Sequence, residues 1–262
     1  MSTTINELRE KLQSGKGDVR NHYFGYQWLY RKLTIYITYL LIPTGISANQ
    51  VSLLVILLGL SSSITLIIGG SVYLALLLAY LNILLDGVDG EIARYRNIHS
   101  LRGVYLDAIN HLAVPGIFLA SLGYYTSLSA PTTIPIYMLV VSLGSISWSL
   151  LKSTGKLENK IFIGNYLGNE ARFEKNIKSN VENHPNDQKL GLLKSMGIWG
   201  LRYQLREFLL ALVVLLIAQL FNILPYVVFA YSIFFLLQVL EEAFRGYFNI
   251  EERVRNLSDR LK

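Results

Sequence analysis

Residues 33–85 contain no Asp, Glu, Lys or Arg, and the same holds for 108–151 and 208–240. A helix that crosses a bilayer needs roughly 20 mostly apolar residues, so each run has room for one or two crossings. The sequence predicts spans over 50–68, 72–94, 103–125, 134–153, 207–222 and 226–247. That is about six transmembrane helices in an all-α integral membrane protein. With only 16% of residues charged and 52% hydrophobic, the chain has the profile of a polytopic membrane protein rather than a soluble domain.

The turns between these spans fall into two sets. "GGS" at Gly70, "TSLSAPTTIP" at Ser127 and "FNILP" at Leu224 carry no charge. Essentially all Lys and Arg lie in the N-terminal arm, the turn 94–102, the loop 152–206 and the tail. The positive-inside rule places those segments, and with them both termini, in the cytoplasm, and an even number of spans agrees. The expected organisation is a cytosolic arm over 1–26, an amphipathic interfacial helix over 27–45, and four spans over 46–153. A cytosolic loop over 154–201, two spans over 202–248 and a tail over 249–262 complete it. The net charge of +6 reads as topology and attraction to anionic lipid. It does not read as nucleic-acid binding, because no basic and aromatic constellation sits on a soluble module.

The absence of cysteine excludes disulfides, thiolate catalysis, cysteine-based zinc sites and prenylation. The polar opening residues show no apolar core of a cleaved signal peptide. In "QWLYRKLTIYITYLLIPTG", Gln27, Arg31, Thr34 and Thr38 recur at helical spacing opposite Leu29, Leu33, Tyr36, Ile37, Leu40 and Leu41. Such a helix suits the headgroup boundary; the alternative is a short hairpin forming the first two spans. Ser47 and Gln50 then have the spacing of a capping box that opens the next helix.

The charges that remain near the apolar runs are concentrated in "LLDGVDGEIARYRNIHSLRGVYLDAINH". Asp86 and Asp89, at i and i+3, project from one helical face, and Gly103, Asp107 and His111 form a second stripe at i, i+4 and i+8. Antiparallel helices joined by the turn 94–102 would bring the two stripes together near the cytosolic surface. Carboxylates so placed repel one another and are costly in low dielectric unless a cation sits among them. Their hard oxygens suit Mg²⁺, Mn²⁺ or Ca²⁺, and cations held this way would grip the phosphates of a substrate. Gly87, Gly90 and Gly103 would let ligand and backbone approach closely, and Arg94 and Arg96 would take an outer phosphate.

This constellation is similar to the signature of the CDP-alcohol phosphotransferase family, D-x2-D-G-x2-A-R-x8-G-x3-D-x3-D. Asp86, Asp89, Gly90, Ala93, Arg94, Gly103 and Asp107 occupy seven of its eight fixed positions. "ISANQVS" resembles the family's S/T-P-N-x-V-T entry to the first span, with Ala48 where proline is usual. The resemblance implies a six-helix membrane enzyme, usually a homodimer, that moves a substituted phosphate from a CDP-linked donor to an alcohol acceptor and releases CMP. It implies that Asp86, Asp89 and Asp107 hold the divalent cation, Mg²⁺ or Mn²⁺, and that Asn49, Asp89, Gly90, Ala93, Arg94 and Gly103 line the nucleotide pocket.

The departure is His111, where the family has a fourth aspartate that ligates metal and takes the acceptor's proton. Imidazole, with an ordinary pKa near ~6.5, accepts a proton at physiological pH, so His111 could be the base. It could equally be a nitrogen ligand that biases the cation site toward Mn²⁺ or a later metal. The lost charge could leave a one-metal or inactive protein that only binds nucleotide or lipid, or His111 could be satisfied at a helix interface with no chemical role. Arg202 and Arg206 are candidates to hold a phosphorylated acceptor, although cations at a span end are expected anyway. A cation-coupled transporter is the rival class; it would put acids at mid-membrane, on broken and repeated helices, and this chain shows no repeat.

Overall fold

The structure, a computed structural model, describes residues 4–13, 30–98, 100–128, 136–150 and 208–259. The described residues are helices joined by turns, with no strand among them. They comprise α1 (Ile5–Gln13), α2 (Lys32–Leu41) and α3 (Ala48–Ile67). Then come α4 (Val72–Arg96), α5 (Leu101–Ser127), α6 (Ile136–Leu150), α7 (Phe208–Leu220) and α8 (Leu224–Asp259).

Among the described residues, α3, α4, α5 and the stretch Leu224–Glu241 of α8 are long and apolar enough to cross a membrane. The chain is thus a multi-pass membrane protein. α6 and α7 take the places of the fourth and fifth expected spans but are shorter. The 15 residues of Ile136–Leu150 rise about 22 Å, less than the ~30 Å of a hydrocarbon core. Of the outer residues expected for these two spans, 134, 135, 151–153 and 207 lie outside the described set, while Phe221 and Asn222 form the turn that ends α7. α8 runs on to Asp259, so helix occupies most of the segment expected as a tail.

Helix ends follow their local chemistry. Ser47 caps α3 with the expected reciprocal bonds: its side chain accepts from the Gln50 N–H, and Gln50 Oε1 accepts from the Ser47 N–H at 2.9 Å. Asn97, left-handed at φ 53°, ends α4, and the Ile98 N–H returns to the Ala93 carbonyl at 3.0 Å. This tight closure turns the chain back into α5.

α3 packs along both α4 and α5. The helices approach closely at Gly59, where an added Cβ would strike Val114 and come within 2.9 Å of Asn82 Nδ2. One apolar cluster, including Leu66, Ala75, Phe118, Val141, Leu215 and Phe235, joins α3 through α8. A second joins Val51 and Val55 of α3 to Val88 and Ile92 of α4. Outward-facing positions are apolar too, among them Leu53, Leu57, Ile64, Leu74 and Leu77, as expected of helices solvated by lipid.

α2 is amphipathic in an instructive sense. Its polar stripe faces the protein, with Thr34 and Thr38 buried, while Leu33, Tyr36 and Leu40 are exposed. This suits a helix that lies at the boundary with its apolar side toward lipid. α1 falls in the segment expected only as a cytosolic arm. Its signal is nonetheless in the residues: Thr4 and Glu7 form a capping box, with the Thr4 N–H donating to Glu7 Oε2 at 3.0 Å. Leu8 and Leu12 are buried against Ile35 of α2.

Candidate metal and nucleotide site

The site is built where the last turns of α4 meet the first turns of α5. Ligand atoms of Asp86, Asp107 and His111 all lie within 4.8 Å of one another. His111 Nε2 stands 3.5 Å from Asp86 Oδ2 and 3.3 Å from Asp107 Oδ1. Two donor atoms bound at about 2.1 Å to one ion at right angles are separated by about 3 Å, close to the distances from His111 to each carboxylate. The donor set of two carboxylates and one imidazole suits Mg²⁺, Mn²⁺ and later metals alike. Asp86 is mostly buried, with a side chain 16% exposed, whereas Asp107 at 50% faces outward. The cluster is therefore open on one side to an incoming ligand.

Asp89 is not part of this three-residue group. Its Oδ2 accepts a 2.6 Å hydrogen bond from the Ser52 hydroxyl of α3, while it remains within electrostatic reach of Asp86 and Asp107. Asp86 is fixed by residues that no sequence motif marks. Asn110 Nδ2 donates to Asp86 Oδ1 at 2.8 Å, and Asn82 Nδ2 donates to Asn110 Oδ1 at 2.9 Å and to the Val55 carbonyl at 2.8 Å. Both asparagines are buried. This relay crosses α3, α4 and α5 and turns Asp86 Oδ1 toward Asn110 while Oδ2 faces His111. Each amide holds its partner in one orientation, as outer partners of metal ligands do.

The expected nucleotide residues gather beside this cluster. Ser100 caps α5: its hydroxyl accepts from the Gly103 N–H at 2.9 Å and donates to Asn49 Oδ1 at 2.9 Å. The start of α3 is thereby tied to the start of α5. A Cβ at Gly103 would sit 3.0 Å from Asn49 Oδ1, so any side chain there would press on Asn49 and its bond to Ser100. Arg94 lies over Gly90, with Nη1 3.2 Å from where a Gly90 Cβ would be, and its Nε donates to the Leu12 carbonyl of α1 at 3.2 Å. Ala93 is half-buried in the same turn of α4. Arg202, Arg206 and the loop 154–201 lie outside the described residues.

An all-α membrane protein with a cluster of two carboxylates and an imidazole, able to hold a cation, at the meeting of two spans is the class that fold and site define. Residues 45–163, the segment containing α3 to α6, match the family model of CDP-alcohol phosphatidyltransferases. That segment of the chain is therefore similar to the family. A curated relative, the "Bifunctional IPC transferase and DIPP synthase" of Thermococcus kodakarensis, is 36% identical over 113 residues. The match covers 43% of this chain and 24% of that relative's length.

Proposed function

We propose that this protein transfers a substituted phosphate from a CDP-linked donor to an alcohol acceptor and releases CMP, as a step in the synthesis of phospholipids or related phosphodiesters. The observation that carries the reading is the convergence of Asp86, Asp107 and His111 inside the segment that matches the family. Asp86 and Asp107 would hold Mg²⁺ or Mn²⁺, with Asp89 completing the acidic set and His111 standing beside them as the base. Bound there, the cation would offset the negative charge of the donor's pyrophosphate and of its in-line displacement.

The chain's own residues supply the rest. Asn49 and Gly103 form one wall of the nucleotide pocket; Asp89, Gly90 and Ala93 line the other, and the Arg94 guanidinium faces the donor phosphates. The acceptor oxygen forms the new P–O bond as the bond to the CMP oxygen breaks. The acceptor's proton passes to His111. Arg202 and Arg206 are assigned to the acceptor side. The acyl chains of a lipid substrate lie between spans while the nucleotide stays in water at the cytoplasmic face of the cell membrane, and the protein works as a homodimer.

The Nε2 distances of His111 favour a second reading, in which the imidazole is a metal ligand and not the base. The two are separable by measuring CMP release with CDP-diacylglycerol and other CDP-alcohols, a panel of acceptors, and Mg²⁺ or Mn²⁺. Acceptor-dependent CMP from the native protein is expected. His111→Ala abolishes it at unchanged Mn²⁺ affinity if His111 is the base, and with weakened Mn²⁺ binding if it is a ligand. A native protein silent with every donor and acceptor overturns the proposal, and activity appearing only in His111→Asp points to a lineage that kept the pocket without the chemistry.

A further inference from the structure

Glu91 lies between Gly90 and Arg94, yet it points away from the cation cluster. It is 3% exposed, and a carboxylate so buried persists only when its oxygens are satisfied. All three of the hydrogen bonds described for it come from the N-terminal helices. Gln13 Nε2 of α1 donates to Oε1 at 2.7 Å, and Thr34 and Thr38 of α2 donate to Oε1 and Oε2 at 2.9 and 2.6 Å.

The neighbouring residues of the same turn grip α1 as well. Arg94 Nε donates to the carbonyl of Leu12, in the last turn of α1, where helix carbonyls lack partners of their own. Lys11 Nζ lies 5.3 Å from the centroid of the Tyr95 ring. Leu8 and Leu12 are buried among Ile35, Ile42 and Tyr95. A guanidinium is planar, so committing Nε to a fixed carbonyl sets the direction of both Nη groups. Here it sets them over Gly90.

We infer that α1 is a positioning element of the donor site, anchored by Glu91, which holds the Arg94 guanidinium in the orientation that meets the donor's phosphates. The inference rests on the donor reading given above. α1 touches no substrate; it acts through Arg94.

The test measures CDP and CMP binding by calorimetry, on the full chain in lipid nanodiscs with Mg²⁺. The variants are Leu8→Asp with Leu12→Asp, which undocks α1 outside the membrane, then Arg94→Lys, and the combination. A hydrogen bond to a charged group is lost in each case, so CDP binding is expected to weaken about tenfold or more. CMP, with one phosphate fewer, loses less. The combination is no worse than either alone, because both act on one contact. Gln13→Ala, which keeps the apolar packing, shifts CDP affinity in the same direction by a smaller factor. Unchanged CDP binding in the undocked protein overturns the inference, as do losses that multiply in the combination. A native chain that binds no CDP overturns the donor reading itself and this role with it.

Discussion

Asn110 donates one amide hydrogen to Asp86 and accepts another from Asn82, both within a buried layer. Replacing it by leucine leaves Asp86 Oδ1 without that donor and Asn82 without that acceptor, at nearly constant volume. The expected outcome is a loss of Mn²⁺ affinity of about 10- to 100-fold, the usual effect of removing an outer partner of a metal ligand, read by electron paramagnetic resonance titration. Unaltered Mn²⁺ affinity would show that Asp86 needs no such support. Neither asparagine is legible in the sequence, because a single Asn in an apolar helix has no partner at diagnostic spacing. The carboxylates are legible, since i, i+3 and i, i+4 spacings by themselves put side chains on one helical face. The same logic does not reveal that Asp89 turns toward Ser52, a residue 37 positions away. Which of two rotamers a carboxylate adopts depends on a neighbouring helix.

At the scale of elements, the spans α3, α4 and α5 are readable because charge-free runs, a capping box and a cluster of turn residues all mark the same boundaries. α2 is readable as amphipathic, and its polar stripe buries inward because Glu91 supplies the partner for Thr34 and Thr38. α1 is harder to read although "TINE" is a capping-box sequence, because its apolar face is only Ile5, Leu8 and Leu12, too short a stripe to outweigh its polar composition. Helix packing is invisible for another reason: a glycine's value depends on what approaches it. Gly59 illustrates this, since an added side chain would collide with Val114 of α5 and crowd Asn82 of α4. Gly59→Leu is expected to lower stability by roughly 1–3 kcal/mol through overpacking, seen as a reduced unfolding temperature in detergent. It should also weaken Mn²⁺ binding, because moving Asn82 disturbs the relay to Asp86. A stable Gly59→Leu protein with native metal affinity would mean that α3 and α5 shift apart without consequence for the site.

For the whole molecule, the question is which side of the membrane receives the substrate. Asn49 beside Ser100 and Gly59 beside Val114 make α3 and α5 run parallel, so the α3 to α4 turn lies where α5 ends. There Tyr137 hydrogen-bonds both to Thr126 of α5 and to the Pro225 carbonyl that opens α8, next to the α7 to α8 turn. The two uncharged turns therefore lie at the same end of the bundle, and the Arg94 to Arg102 turn, with the cation cluster, lies at the other. The proposal that the cluster's end faces the cytoplasm rests on the charge asymmetry of those turns. Because the sequence contains no cysteine, a single introduced cysteine reports one position without a background signal. Ile68, Phe221 and Ile98 are 75%, 72% and 58% exposed, so cysteine at each is open to reagent. In intact cells, a membrane-impermeant maleimide should label Ile68→Cys and Phe221→Cys, and should label Ile98→Cys only after permeabilisation. The reverse pattern would place Asp86, Asp107 and His111 on the outer face, away from the cytoplasmic supply of nucleotide-linked donors, and the proposed reaction would lose its substrate. Labelling of Ile68→Cys and Phe221→Cys from opposite sides would instead break the shared-end geometry of the bundle.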